Sequence, residues 1–124
     1  MKSVILKSAT QLIGGLVLPG LIGRAEGAKV KAAASQVSRL SMAVENYYLD
    51  TGQTPEALQQ LVENPGNAGG WNGPYVKPSS LKDPWGRPYE YKFPGEHGEF
   101  DIYSLGADGQ PGGEGKNADI NSWE

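Results

Sequence analysis

The sequence predicts an α+β domain in which one long helix lies on a small antiparallel sheet. An apolar stripe of helical period runs through residues 24–50. Two short alternating segments follow at residues 87–93 and 99–105, joined by a turn that contains Pro94-Gly95. The chain has 124 residues, room for one domain of ordinary size. A helix with one apolar face must bury it against another layer, and the sheet is the surface available.

In the helix, Val30, Ala33, Val37, Leu40, Val44 and Tyr47 follow one another at intervals of three and four, which places them on one stripe close to a coiled-coil seam in period. Lys29, Lys31, Gln36, Arg39 and Glu45 fall off that stripe. The helix is expected to end near Asp50-Thr51-Gly52, where Gly52 can take the left-handed cap conformation and Pro55 blocks resumption. A helix from 21 to 50 is about 45 Å long, more than a small domain needs, so its N-terminal part is expected to project. Upstream, residues 9–23 (ATQLIGGLVLPGLIG) are uncharged and largely apolar, yet shorter than the roughly 20 residues that span a bilayer. Lys2 and Lys7 ahead of this run resemble a secretory signal, although Pro19-Gly20 interrupts it and no A-x-A site follows.

Thr54-Pro55-Glu56 reads as the opening of a second, shorter helix, with Thr54 as cap and Leu58, Leu61 and Val62 as its apolar face. Pro65-Gly66 stops it, and residues 64–80 read as loop anchored by Trp71 and Tyr75. In Lys82–Tyr89, Asp83-Pro84 initiates a turn, Gly86 permits a positive φ, and Trp85 can plug the core. In RPYEYKF the alternation puts Tyr89, Tyr91 and Phe93 on one face. In EFDIYSL it puts Phe100, Ile102 and Ser104 on one face and Tyr103 and Leu105 on the other. The tail from Gly106 to Glu124 has no periodicity. Tyr47 and Tyr48 read as helix–sheet core rather than a ligand box.

Composition excludes several chemistries. With no Cys and one His, there is no disulfide framework, no thiol nucleophile and no metal site of thiolates or several imidazoles. Any bound metal must take oxygen ligands, which favours a hard cation such as calcium. Residues 1–40 carry six Lys/Arg against one acid, and the remainder five against thirteen. A basic end and an acidic body suggest a membrane-facing or assembly-facing end. All 11 aromatics lie after residue 46, in the acidic part, which speaks against nucleic-acid binding.

Two stretches bear on chemistry. Between Leu105 and Asp119, glycines allow tight folding that turns carbonyl oxygens inward, and Asp108, Glu114, Asn117 and Asp119 add side-chain oxygens. Asp108 to Asp119 has the length of an EF-hand loop with Gly113 at its sixth position, but Gln110 and Gly112 stand at the third and fifth and no helices flank it. A flexible polar tail is the competing reading. The other stretch holds His97, Asp101 and Ser104, which as strand neighbours are poorly placed to converge on a nucleophilic site; a turn histidine is the simpler reading.

Together, ENYYLDTGQTPE at the end of the helix, DPWGRPYEYKFPGEHGEFDIYSLGADG after it and ADINSW in the tail resemble the major pseudopilin of the bacterial type II secretion system, within the type IV pilin-like superfamily. The resemblance runs from about Leu16 to Trp123. It implies a type IV pilin-like fold with no catalytic activity and a calcium-binding C-terminal loop. Carried over by position, the ligands are the Leu105 carbonyl, the Asp108 carboxylate, the Gln110 carbonyl and the Asp119 carboxylate, with Gly113 and Asn117 in the part of the loop that varies in length. It further implies a leader removed by a prepilin peptidase, a methylated N-terminus, and a single-pass helix in the bacterial inner membrane with a periplasmic domain. The subunit polymerises into a periplasmic helical filament that drives export of folded proteins across the outer membrane. Its implied partners are copies of itself, minor pseudopilins and the inner-membrane secretion platform. The chain then divides into residues 1–23, a membrane-proximal and filament-core segment, and residues 24–124, the periplasmic domain. Residues 1–13 supply neither the Phe nor the Glu that the family carries at its mature start, and they add Lys2 and Lys7. The alternative is a type IV pilin or minor pseudopilin acting in adhesion or filament capping. The lack of Cys counts against an adhesive pilin, whose C-terminal loop is commonly closed by a disulfide.

Overall fold

A computed structural model describes the backbone of residues 19–124 and the side chains from Ala25 onward. The apolar segment expected over residues 1–23 therefore lies almost wholly outside the described residues, as do Lys2 and Lys7. The described part begins with helix α1, Pro19–Thr51, 33 residues long. Among the described residues, no helix is long and apolar enough to cross a membrane.

The stripe on α1 is the core. Ala33, Val37, Leu40, Val44 and Tyr47 are all buried, Ala43 joins them, and Val30 packs at the edge. Off the stripe, Met42 is 59 % exposed, Tyr48 51 % and Leu49 77 %. Tyr48 is therefore surface, not core: one position along a helix turns a side chain by about 100° and carries it off the seam. The helix ends as expected. Gly52 adopts φ 76° and donates its N–H to the Tyr48 carbonyl at 2.7 Å, closing the last turn.

The second helix is shorter than the sequence suggested. It is a single 3-10 turn, Leu58–Leu61, preceded by an extended Ala57 and lacking a side-chain cap. The hydroxyl of Tyr91 donates to the Pro55 carbonyl at 2.6 Å, and the Gln60 side chain accepts the Glu56 N–H at 3.0 Å. Tyr91 thus takes the Pro55 carbonyl that a helix would have used, and Thr54 caps nothing. Leu58 and Leu61 are buried as expected.

Trp71 and Tyr75 anchor the loop that follows. Trp71 Nε1 donates to the Gln60 carbonyl at 2.8 Å, the Tyr75 hydroxyl donates to Asp50 Oδ2 at 2.8 Å, and the two rings meet edge to face at 5.6 Å. A second 3-10 turn, Pro78–Leu81, leads into the corner at Asp83.

The sheet has three strands in the order β1-β2-β3: Glu90–Lys92, Asp101–Ser104 and Ile120–Asn121. Neighbours are antiparallel, with Glu90 opposite Tyr103, Lys92 opposite Asp101 and Ser104 opposite Ile120. The first two form the expected hairpin, with shorter strands. β3 is a correction, because it lies in the tail that showed no periodicity. Alternation also misplaces one side chain. Phe93 is 41 % exposed, because β1 stops before it. Asp101 is buried, because the hairpin turn folds back over its carboxylate.

Candidate functional site in the glycine-rich loop

The corner at Asp83 supports the site from below. Asp83 is buried; its Oδ1 accepts the N–H groups of Trp85 at 3.0 Å and Arg87 at 2.9 Å, and its Oδ2 accepts the Ser104 hydroxyl at 2.8 Å. One carboxylate therefore shapes the turn and ties it to β2, with every bond charge-assisted. Trp85 is half-buried and packs against the core as expected, and its Nε1 donates to Glu26 Oε1 at 3.2 Å, linking the corner to the N-terminal half of α1. Tyr89 begins the path into β1; burial, with Asp83 adding to it, pushes its phenol up to about 12, and its hydroxyl has no hydrogen-bond partner among the described residues.

The loop leaves β2 at Leu105 and returns at Ile120. Its residues Gly106, Gly109, Gly112, Gly113 and Gly115 all have positive φ. Two are required by close approach. A Cβ on Gly106 would lie 2.7 Å from the Ala118 carbonyl oxygen, and one on Gly113 would lie 2.5 Å from that of Asn117. The loop thus folds back on its own main chain, and Ala107 N–H donates to the Lys116 carbonyl at 2.8 Å.

The four expected ligands are all in this loop. Asp108 is exposed, and its Oδ1 accepts the Gln110 N–H at 3.0 Å. Both carboxylate oxygens of Asp119 accept the Gly112 N–H at 3.1 Å. Gln110 and Gly112 are two residues apart, within about 7 Å of chain, so the two carboxylates cap one short stretch. Leu105 and Asp119 line a shared concavity with Pro111 and Asn121, and Asp108 and Gln110 lie outside it. No group of three or more His, Cys, Asp or Glu side chains able to hold a metal occurs among the described residues. A cation here would therefore draw on two carboxylates at most, with carbonyl oxygens supplying the rest. Such an all-oxygen set, on a loop whose glycines let carbonyls crowd together, has the chemistry of a hard-cation site.

The hairpin turn holds a second arrangement. Asp101 Oδ2 accepts the Glu96 N–H at 2.8 Å and lies 3.1 Å from His97 Nδ1, and Oδ1 accepts the His97 N–H at 3.3 Å. Burial pushes the Asp101 carboxyl up, but the donors from Glu96 and His97 outweigh it and hold the group below the usual carboxylate range. Ser104 takes no part, since its hydroxyl is committed to Asp83. His97, Asp101 and Ser104 therefore do not form a nucleophilic triad, and the turn-histidine reading holds. What the sequence did not reveal is that the His97 ring stacks on Trp123, or that Arg87 reaches the loop; each contact joins residues about 20 or more positions apart and leaves no local pattern.

Comparison with known proteins agrees with this architecture. Residues 20–123 match the family model described as type II secretion system (T2SS), protein G. Type II secretion system core protein G of Xanthomonas campestris pv. campestris is 44% identical over 117 residues, covering 94% of this chain and 79% of that protein. The proteins of the same name from Pseudomonas aeruginosa and Vibrio cholerae are each 40% identical, covering 91% and 90% of this chain and 84% and 80% of their own lengths. The crystal structure of the major pseudopilin from the type 2 secretion system of enterohaemorrhagic Escherichia coli superposes with a TM-score of 0.68 at 30% identity, covering 87% of this chain and 93% of that one. A 33-residue helix on a three-stranded antiparallel sheet, matched along nearly its whole described length, places the chain in the type II secretion system protein G family, the major pseudopilins, whose members are structural subunits of the pseudopilus and not enzymes.

Proposed function

We propose that this chain polymerises into the pseudopilus filament of a type II secretion system, and that its glycine-rich loop binds calcium to order the subunit for assembly. The observation that carries the reading is the two-sided helix α1. One face is buried in the domain, while Met42 and Leu49 stand exposed on the opposite side and Tyr48 on the flank, available to neighbouring copies. On this reading the N-terminal third, with six Lys/Arg against one acid, lies toward the inner membrane and the filament core, and the acidic domain lies in the periplasm. The partners are further copies, minor pseudopilins and the inner-membrane platform, and the filament drives folded proteins across the outer membrane. Processing and N-methylation by a prepilin peptidase belong to the same reading.

Calcium is supported by donor chemistry. The Leu105 and Gln110 carbonyls and the Asp108 and Asp119 carboxylates lie in one tightly folded loop, and a bound ion would replace the N–H groups of Gln110 and Gly112 as partner of the two acids. The test has two arms. Electron microscopy of the overproduced full-length chain should show long homopolymers; capped short assemblies would instead favour a minor pseudopilin. Thermal unfolding in excess calcium and in chelator should differ, by an amount on the order of 2.7 kcal/mol at a hundredfold over the dissociation constant, and Asp119→Ala should abolish the difference. An equal Tm in both conditions overturns the calcium assignment.

A further inference from the structure

The main chain of Arg87 is fixed in the Asp83 corner: its N–H donates to Asp83 Oδ1 at 2.9 Å and its carbonyl accepts the Asp83 N–H at 2.7 Å. Its side chain leaves the corner and reaches the start of the glycine-rich loop. There Nη1 donates to the carbonyls of Gly106 at 3.0 Å and Ala107 at 3.2 Å. A Cβ on Gly109 would lie 2.7 Å from Arg87 Nε and 2.8 Å from Cζ, so the guanidinium rests against the bare Cα of Gly109. The three contacts bracket Asp108 on both sides.

We infer that Arg87 is a positioning residue for the cation loop. Its guanidinium orders residues 106–109 without metal and so presents the Leu105 carbonyl and the Asp108 carboxylate to calcium. This rests on the calcium reading above. It divides the loop into a first half held by arginine and a second half, 110–119, held by its own hydrogen bonds and completed by the ion. It also sets a positive charge against the carbonyls of Gly106 and Ala107, which disfavours them as calcium ligands. The reason is entropic: each residue fixed before the ion arrives spares binding part of the cost of ordering it. Coulomb's law works the other way. A guanidinium beside a dication repels it, so if charge alone mattered, removing Arg87 would tighten calcium binding. The sign of the change therefore separates positioning from electrostatics.

The experiment compares the full chain with Arg87→Ala and Arg87→Lys, by calorimetric titration with calcium chloride and by hydrogen exchange in chelator. In Arg87→Ala the Gly106 and Ala107 amides, bonded to Ser104 Oγ at 3.2 Å and the Lys116 carbonyl at 2.8 Å, should exchange about fivefold faster in chelator, with β1 and β2 unchanged. The calcium dissociation constant should rise about fivefold, with Arg87→Lys intermediate. Unchanged exchange at Gly106 and Ala107, or a dissociation constant equal to or below that of the parent, overturns the inference. If the parent binds no calcium, the calcium reading fails with the presentation half of this inference. The exchange arm then decides alone whether Arg87 orders the loop.

Discussion

The imidazole of His97 lies flat on the indole of Trp123, with ring centroids 3.8 Å apart and planes within 5° of parallel. It joins the β1–β2 turn to the segment after β3, and Tyr103 meets the indole edge to face at 6.0 Å. Trp123 follows β3, which holds only two residues, so the stack supplements a very short ladder. Asp101 orients the imidazole from below through Nδ1.

Aromatic pairs contribute about 0.5–1.5 kcal/mol beyond the area they bury. His97→Ala should therefore lower the unfolding free energy by about 1 kcal/mol, and Trp123→Ala by more, since it also uncovers Tyr103. In denaturant titration the double variant should lose less than the sum of the singles, because the two share one contact. Strict additivity would show that the stack carries no energy.

Asp101 gives the fold a definite acid sensitivity. Its folded-state pKa is depressed, so its contribution is fully present above the unfolded value of about 3.9 and is lost as pH falls through the lower folded value. Below about pH 4 the parent should lose stability, and Asp101→Asn should show a flatter profile in that window while being less stable at pH 7, where the charged acceptor is missing. Parallel profiles for the two proteins from pH 6 down to 2 would remove Asp101 from the acid response.

The parts of this fold legible in the sequence are those with a local pattern. The α1 stripe repeats over five turns, Gly52 stands where a cap is needed, and Leu58 and Leu61 mark an apolar face even though the backbone makes only a 3-10 turn. β3 was not legible, because two residues cannot display a period. Its identity comes from partners, with Asn121 opposite Tyr103 and Ile120 opposite Ser104, and just past its end the Ser122 N–H donates to the Ile102 carbonyl at 2.8 Å. The turn at Asp83 was legible, but the burial of Asp83 and Asp101 was not, because it depends on backbone donors that fold over each carboxylate. In the loop, the composition indicates oxygen donors, but which carbonyls are free depends on a side chain from another segment, Arg87.

Two adjacent glycines separate backbone freedom from space. Gly70 has φ 89°, and a Cβ there would lie 2.2 Å from the Asp50 carbonyl oxygen at the end of α1. That atom is main chain in the last turn of the helix, so moving it aside is costly. A Cβ on Gly69 would meet nothing within 4 Å, and its φ is not positive. Gly70→Ala carries both the left-handed penalty, about 1–2 kcal/mol, and the displacement of the Asp50 peptide. It should also disturb the neighbouring bond from Tyr75 to Asp50 Oδ2. Gly69→Ala should stay within about 0.5 kcal/mol of the parent. Denaturant midpoints of the two single variants make the comparison. Equal midpoints would mean that the 68–72 loop can swing away from α1, and that Trp71 and Tyr75 do not fix it there.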